Sequence, residues 1–406
     1  MKPSSSRIKN IASTGGREVL KIGPDVHYMG TGTIQFDTFD HIHQAGIRAI
    51  EADYVGYTDN VGLLSLREAI AEKLANENHV HYDPDEILVT SGSSEILSAI
   101  PHAFMEPGDE AIMFDPHYIG HFSAIVELAS GIPIILPTNG DNNWQPDLEM
   151  VEAAVTPRTK LLFMVSPSNP VGSALNEESV RGLCEIAIKH DLYVIADELY
   201  ERIMFDGKKV ISPASLPGMR ERTFTINGFS KAYGMTGWRV GYMGAPRELL
   251  QPVHRARLYV GICAPSISQY AALAALTGPQ EPLAAMLSEL DRRRHYLCSH
   301  LSAIEGIHAP LQDGTFYSFV DVREFMREKG DKVRKVLLSE VEGYEIPDSI
   351  AQQFTDFMIV RGRVYLSPGS SFGTAGEGWF RVSGASYMDH LQKGIERIEE
   401  AAASIL

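Results

Sequence analysis

The stretch "EILVTSGSSEILSAIPHAFM", residues 86–105, changes from a strand pattern to a helix pattern within a run of small turn residues. Its apolar start is short, and Ser91 to Ser94 separate it from a segment with helical periodicity. Short apolar runs that alternate with helices are typical of parallel strands whose two faces are both covered. The stretch therefore predicts a strand–turn–helix unit of an α/β sheet.

The same alternation continues along the chain. Further apolar runs stand at 110–114, 132–136, 160–165, 192–196 and 222–227, with helical patterns such as "NEESVRGLCEIAIKH" between several of them. This order predicts an α/β fold with a large, doubly wound and mostly parallel sheet domain over residues 46–290. A long helical pattern at 284–304 precedes strand-like runs and a last helix, which predict a smaller α+β domain over 291–406, joined by residues 1–45.

Composition narrows the class of protein. The chain has 406 residues, which favours two domains, and its 44% hydrophobic and 22% charged residues are typical of a folded globular protein. A formal net charge of −16 disfavours nucleic acid as a partner. Three widely spaced cysteines, no secretory leader and no apolar run of about 18 residues predict a cytoplasmic protein without a membrane span.

Polar residues follow four neighbouring strand patterns, where ligands collect in open α/β sheets. Ser93 and Ser94 begin a helix after the first strand, Tyr118 follows the second, Asn169 follows another, and Asp197 ends the run "LYVIAD". Serine capping, aromatic packing, an Asn-Pro turn and a helix cap explain each of them singly. Together they offer a phosphate cradle, a stacking ring, an amide and an anion.

Lys231 follows the strand pattern "RTFTIN", residues 222–227, which is predicted to be buried, and Arg239 stands eight residues after Lys231. A buried lysine beside another cation has a lowered pKa and forms a Schiff base with an aldehyde readily. The arginine fork also suits phosphate oxygens. An aldehyde-binding lysine, a phosphate cradle, an acid and a stacking ring match one cofactor, pyridoxal 5′-phosphate.

From about residue 28 to its end the chain resembles the class I/II aminotransferases of the aspartate aminotransferase superfamily. The resemblance rests on "SPSNPVG", "ADELYERIMFDG", "FSKAYGMTGWRVGY" and "WFRVSGA", which occur in the family's order and approximate spacing. It implies the fold-type-I architecture, pyridoxal 5′-phosphate as cofactor, and transfer of an amino group from an α-amino acid to a 2-oxo acid.

The resemblance also implies roles for individual residues. Lys231 looks like the lysine that holds the cofactor and moves the proton, and Asp197 like the acid that keeps the pyridine nitrogen protonated. Tyr200 and Asn169 match donors to the ring hydroxyl oxygen. Further matches are the stacking ring of Tyr118, the phosphate contacts Ser93, Ser94, Ser230 and Arg239, and Arg381 as the arginine that binds the substrate α-carboxylate.

Two further matches concern a contact to a neighbouring subunit and a residue that acts through Asp197. Tyr57 resembles the tyrosine that reaches the phosphate of the neighbouring subunit, which implies a homodimer with shared active sites. His121 corresponds to a histidine that orients the aspartate, here Asp197. Near the substrate, Gly32 stands at the family's glycine position.

The chain departs from the family pattern at two places. Gly228 replaces a serine that usually stands three residues before the lysine, so one phosphate hydroxyl is missing. "GTIQF" replaces the usual N-terminal segment over the substrate, so Thr33 to Phe36 leave the substrate open. We favour a neutral or aromatic amino donor, with 2-oxoglutarate as an acceptor.

Three alternative functions compete with transamination at the level of sequence, and the first of them stays open. Other fold-type-I enzymes, such as lyases, decarboxylases and cyclising enzymes, share the lysine, the acid and the cradle. A cofactor-sensing regulator would carry a DNA-binding module, for which the length leaves no room. A zinc enzyme using His41 and His43, or His79 and His81, lacks an obvious third ligand, so we expect no metal site.

Overall fold

The computed structural model describes residues 5–9, 11, 23, 25–30, 32, 34–118 and 121–405. Its strands are β1 His27–Tyr28, β2 Ile87–Thr90, β3 Glu110–Asp115, β4 Ile132–Pro137, β5 Thr159–Val165, β6 Tyr193–Asp197, β7 Thr223–Gly228, β8 Gly241–Gly244, β9 Tyr317–Asp321, β10 Val364–Tyr365, β11 Ser367–Pro368 and β12 Trp379–Ser383. Its helices are α1 Ser6–Lys9, α2 Asp40–Glu51, α3 Leu64–Glu77, α4 Ser93–Phe104, α5 His121–Leu128, α6 Leu148–Ala154, α7 Glu177–Lys189, α8 Arg247–Leu258, α9 Ser266–Thr277, α10 Glu281–Ser302, α11 Arg323–Glu340, α12 Ile350–Phe357 and α13 Met388–Ala403.

Seven strands form the large sheet in the order β2-β8-β7-β6-β5-β3-β4. The five strands from β7 to β4 are parallel neighbours, whereas β8 runs antiparallel to both β7 and β2. All residues of β7 are buried, as the run "RTFTIN" predicted. The α/β fold with a large, mostly parallel sheet is therefore confirmed.

Helices cover both faces of this sheet and bury two apolar layers. One layer packs β2, β3 and β7 residues such as Leu88, Met113 and Phe224 against α4 and α8. The other face packs β5 and β6 residues such as Leu162 and Val194 against α7. Burying large apolar side chains on both faces fixes the sheet, so its strand ends form one rigid edge.

A second, antiparallel sheet in the order β11-β12-β9 forms the core of the C-terminal part, with α11, α12 and α13 packed on it. The run "RVYLS" forms two short strands, since β10 pairs with β1 and β11 pairs with β12. The β1–β10 pair ties the N-terminal segment to this part of the chain. The domain bounds at residues 45/46 and 290/291 stay a prediction.

None of the helices among the described residues combines the length and the apolar character that crossing a bilayer requires.

Candidate active site

A cavity of about 470 Å³ lies at the carboxyl ends of the large sheet's parallel strands, beside the small sheet. Its size is in the range of pockets that bind cofactors and drug-sized ligands. Sequence-predicted residues that line it are Gly32, Ser93, Ser94, Tyr118, Asn169, Asp197, Tyr200, Ser230, Lys231, Arg239 and Arg381. The fold thus brings residues from both sheets and from the N-terminal segment into one site.

Lys231 leaves the end of β7 and points its amine into this cavity. The Nζ atom donates a hydrogen bond to the backbone oxygen of Gly32 at 2.9 Å. Burial, with the neighbouring charges of Arg381 and Arg239, lowers the pKa of Lys231 from 10.5 to about 8, although Asp197 opposes the shift. The amine is therefore much closer to a neutral nucleophile at physiological pH than an exposed lysine is.

Asp197 is the last residue of β6 and is buried in the same cavity. One carboxylate oxygen accepts a hydrogen bond from the backbone N–H of Leu199 at 3.2 Å. Burial raises the pKa of Asp197 to about 6, partly offset by that hydrogen bond and by the charge of Lys231. A desolvated carboxylate of this kind favours a cationic partner inside the cavity.

The predicted phosphate cradle consists of the start of α4 and the side chain of Arg239. Gly92 precedes the helix with a φ of 86°, and a side chain there would lie 2.4 Å from a guanidinium nitrogen of Arg239. Gly241 of β8 lies close to the start of α4, because a Cβ at Gly241 would approach the backbone nitrogen of Ser93 to 2.6 Å. Both glycines thus keep an arginine and the helix start together, which is a suitable anion site.

Arg381 comes from β12 of the small sheet and is buried, with 4% of its surface exposed. Its guanidinium donates to the side-chain oxygen of Asn169 at 2.8 Å and to the backbone oxygen of Gly30 at 2.6 Å. The Nε atom is buried without a hydrogen-bond partner in the described structure. A buried cation with an unused donor is suited to an anionic ligand, since a carboxylate would satisfy both its charge and its donor.

Three predicted residues need separate description. Tyr57 is 82% exposed and does not line the cavity of the single chain. The side chain of His121 and residue Thr33 lie outside the described residues.

The departure at Gly228 has a steric reason, because a Cβ there would lie 3.2 Å from Leu199 Cδ1 and 3.3 Å from Gly241 Cα.

Sequence reasoning missed several residues that line the cavity, chiefly Tyr317 and Thr236. Tyr317 begins β9, and its hydroxyl accepts a hydrogen bond from the Tyr200 hydroxyl at 3.3 Å. Its position inside the run "TFYSFV" indicates a core residue, so no local signal marks it. Only the pairing of Tyr317 with Ser383 in β12 places it beside Arg381.

The histidine pairs do not form a metal site in the described structure. His41 and His43 lie on α2, whereas His79 and His81 follow α3. Among the residues that the structure describes, no group of three or more His, Cys, Asp and Glu side chains is placed to hold a metal ion.

The residues of the cavity fit pyridoxal 5′-phosphate. The space at Gly92 and Arg239 would suit a dianionic phosphate, and the buried carboxylate of Asp197 would suit a protonated pyridine nitrogen. Lys231 supplies an amine whose lowered pKa suits an aldehyde. The unpartnered Nε of Arg381 remains for a carboxylate outside the cofactor.

Comparison with known proteins identifies the family of the chain. The family model described as aminotransferase class I and II matches residues 24–398. An aspartate aminotransferase of Rhizobium meliloti is 35% identical over 403 residues, which cover 96% of this chain and 95% of the relative.

Solved structures agree over the whole fold. A crystal structure of the aspartate aminotransferase from Rhizobium meliloti superposes with a TM-score of 0.89 at 34% identity and covers 100% of both chains. That of an aromatic aminotransferase from Pyrococcus horikoshii has a TM-score of 0.87 at 32% identity and covers 98% of each chain. These matches favour amino-acid transamination over the lyase, decarboxylase and cyclising alternatives. The chain belongs to the class I and II aminotransferase family, with the fold-type-I architecture, and it is a pyridoxal 5′-phosphate-dependent enzyme that transfers amino groups between amino acids and oxo acids.

Proposed function

We propose that Lys231 carries the amino-transfer chemistry of this enzyme. The observation that supports this assignment is the enclosure of its amine in one cavity with Asp197, Arg239 and Arg381. Burial and the two arginines lower the pKa of Lys231 to about 8, which makes the amine available both as a nucleophile and as a base.

The polar residues of the cavity then divide the tasks of the reaction among them. When bound, the cofactor supplies an aldehyde that takes up the amino group and a ring that withdraws electrons from the substrate. Arg381 holds the α-carboxylate through two parallel hydrogen bonds, and this fixes the Cα–H bond towards Lys231. The amine of Lys231 removes the proton from the Cα atom of the substrate. It would return this proton to the carbon that carried the aldehyde of the cofactor. Asp197 supplies the anion that stabilises a protonated ring nitrogen.

The remaining predicted contacts complete the cofactor site. Tyr200 and Asn169 donate to the ring hydroxyl oxygen, and Tyr118 stacks on the ring. Asn169 turns its oxygen towards Arg381, which leaves its NH₂ group for that role. Ser93, Ser94, Ser230 and Arg239 bind the phosphate, His121 orients Asp197, and Gly32 and Asn169 line the substrate side.

The amino donor that the cavity favours has a neutral or aromatic side chain. Lys231, Arg239 and Arg381 are the cations that line the cavity, and the cofactor and the α-carboxylate use all three. A second carboxylate therefore finds no free cation among the described lining residues. 2-Oxoglutarate is the acceptor that we propose.

Aspartate is a second candidate donor, because relatives that match almost the whole chain are named aspartate aminotransferases. It would require a cation from another subunit. We propose that the enzyme is a homodimer with shared active sites, in which the exposed Tyr57 reaches the phosphate of the neighbouring subunit. The free cysteines Cys184, Cys263 and Cys298 are consistent with the cytoplasm as its compartment.

Borohydride reduction of the cofactor-loaded enzyme, followed by peptide mass analysis, tests the assignment of Lys231. We expect a pyridoxyl group on Lys231, and its presence on another lysine would overturn the proposal. Single amino acids added to the loaded enzyme should change its visible absorbance, and an oxo acid should restore it. Comparison of aspartate with phenylalanine, leucine and alanine in this assay separates the two donor classes.

A further inference from the structure

Tyr317 lies between the two halves of the site. It begins β9 and is 1% exposed. Its ring faces the guanidinium of Arg381, and its hydroxyl faces the hydroxyl of Tyr200. The residue therefore contacts both the group expected to bind the substrate carboxylate and a group expected to bind the cofactor.

The ring of Tyr317 is one of two aromatic rings in contact with the guanidinium of Arg381. The guanidinium carbon is 4.4 Å from the centre of the Tyr317 ring and 4.7 Å from that of Phe372. Aromatic faces attract a cation, and the attraction is strongest where water is excluded. Two rings at these distances, with the hydrogen bonds to Asn169 and Gly30, fix the plane of the guanidinium before any ligand binds.

The hydroxyl of Tyr317 has a different neighbour. The Tyr200 hydroxyl donates to it at 3.3 Å, and burial raises the pKa of Tyr200 well above its usual value. Tyr200 therefore keeps its proton, which the Tyr317 oxygen accepts here and which the ring hydroxyl oxygen of a bound cofactor would accept instead. Gly32 packs against the same hydroxyl, because a Cβ at Gly32 would lie 2.8 Å from the Tyr317 oxygen.

We propose that Tyr317 is a positioning residue with two separable parts. Its ring holds Arg381 in the plane that receives the substrate carboxylate. Its hydroxyl orients the hydroxyl of Tyr200 at the cofactor site: it accepts the Tyr200 proton in the free protein, and it donates to the Tyr200 oxygen when that proton is given to the cofactor. This inference rests on the proposed roles of Arg381 and Tyr200, and it adds a residue through which both are held.

The two parts can be separated by substitution. Tyr317→Phe removes the hydroxyl and keeps the ring on Arg381, whereas Tyr317→Leu removes both. Phe372→Leu is the matched control, because it removes the other aromatic ring at Arg381, which carries no hydroxyl. Measurements on each purified variant are the Kd for pyridoxal 5′-phosphate, the KM and kcat for the best amino donor, and the pH dependence of the visible absorbance of the loaded enzyme.

Tyr317→Phe should raise the Kd for the cofactor about 2- to 10-fold, the effect of one neutral hydrogen bond, and should shift the absorbance titration. It should leave the KM of the amino donor unchanged. Tyr317→Leu should add an increase in KM of about 2- to 30-fold, as expected for a lost cation–aromatic contact. Phe372→Leu should raise KM in the same range without a change in cofactor Kd.

A double variant tests whether the hydroxyl acts through Tyr200. In a Tyr200→Phe background, Tyr317→Phe should no longer change the cofactor Kd, because the hydrogen bond is already absent. An undiminished effect of Tyr317→Phe in that background would overturn the proposal. So would a Tyr317→Phe enzyme with unchanged Kd and absorbance titration, or a Tyr317→Leu enzyme with unchanged KM. Failure of the wild-type protein to bind the cofactor would instead overturn the proposed function itself.

Discussion

The amine of Lys231 donates a hydrogen bond to the backbone oxygen of Gly32 at 2.9 Å. This contact joins the end of β7 to the N-terminal segment, which β1 ties to the C-terminal part of the chain. The segment thereby covers the lysine and contributes to the burial that lowers its pKa. A residue that is remote in sequence thus contacts the amine of Lys231.

Replacement of Lys231 should stabilise the apoprotein. The folded state lowers the pKa of this lysine from 10.5 to about 8, so below pH 8 the buried charge costs at most about 3 kcal/mol. Lys231→Met should recover this free energy in urea denaturation at pH 7. The gain should shrink as pH rises from 8 to 10.5, because the wild-type amine then loses its charge in the folded state first.

Lys209→Met is the matched control, since Lys209 is an exposed lysine outside the cavity. Its effect on the free energy of unfolding at pH 7 should be small. A Lys231→Met protein that is less stable than wild type at pH 7 would contradict the assigned burial of the charge.

Gly92→Ala should weaken cofactor binding. A Cβ at Gly92 would lie 2.4 Å from a guanidinium nitrogen of Arg239, and the residue has a φ of 86°. Gly108→Ala is the control, because Gly108 has a φ of 93° and open space around the position of a Cβ. Both variants should lose about 1–3 kcal/mol of stability from backbone strain. Only Gly92→Ala should raise the Kd for pyridoxal 5′-phosphate, and equal Kd values in the two variants would argue against the cradle.

Arg381→Lys should raise the KM of the amino donor. Lysine keeps the charge but cannot form two parallel hydrogen bonds, and loss of a charged hydrogen bond costs about 10- to 150-fold in affinity. Steady-state kinetics should show this increase together with a nearly unchanged cofactor Kd. Arg361→Lys, at a surface ion pair with Glu340, serves as control and should leave KM within about twofold of wild type. An unchanged KM in Arg381→Lys would remove this arginine from the substrate site.

Tyr57→Phe should weaken cofactor binding only in the assembled enzyme. Tyr57 is 82% exposed in the single chain, so its proposed contact with phosphate requires a second subunit. Its Kd for the cofactor should rise about tenfold or more at protein concentrations where sedimentation shows a dimer. Tyr387→Phe, at a tyrosine that is 53% exposed, should not change the Kd. A monomeric wild-type protein with full activity would contradict shared active sites.

Much of the site can be predicted from sequence, because the apolar runs show where each strand ends. The apolar runs before Asn169, Asp197 and Lys231 all form strands, and the residues that follow them meet in one cavity. Parallel strands share one carboxyl edge, so order along the chain is enough to predict their proximity. The resemblance to a family adds the roles, which the strand pattern alone leaves open.

β8 and Tyr317 show where local patterns do not suffice. β8 has the sequence "GYMG", in which Gly241 lies against the start of α4 and Gly244 lies against Tyr82, since a Cβ at Gly244 would approach that ring to 2.7 Å. Close packing of neighbours explains these glycines, and a strand with glycine at both ends has no apolar run to reveal it. Tyr317 is missed for the opposite reason, because it lies in the apolar run "TFYSFV". Such a run predicts a buried strand and does not single out a functional residue.

The antiparallel direction of β8 limits the insertions and deletions that the chain can accept before this strand. Lys231 leaves the edge of the sheet after β7, and Arg239 returns to that edge just before β8. A single inserted or deleted residue between them would move the arginine off the cradle or rotate it away. We therefore expect homologues of this chain to have the same number of residues between positions 231 and 239.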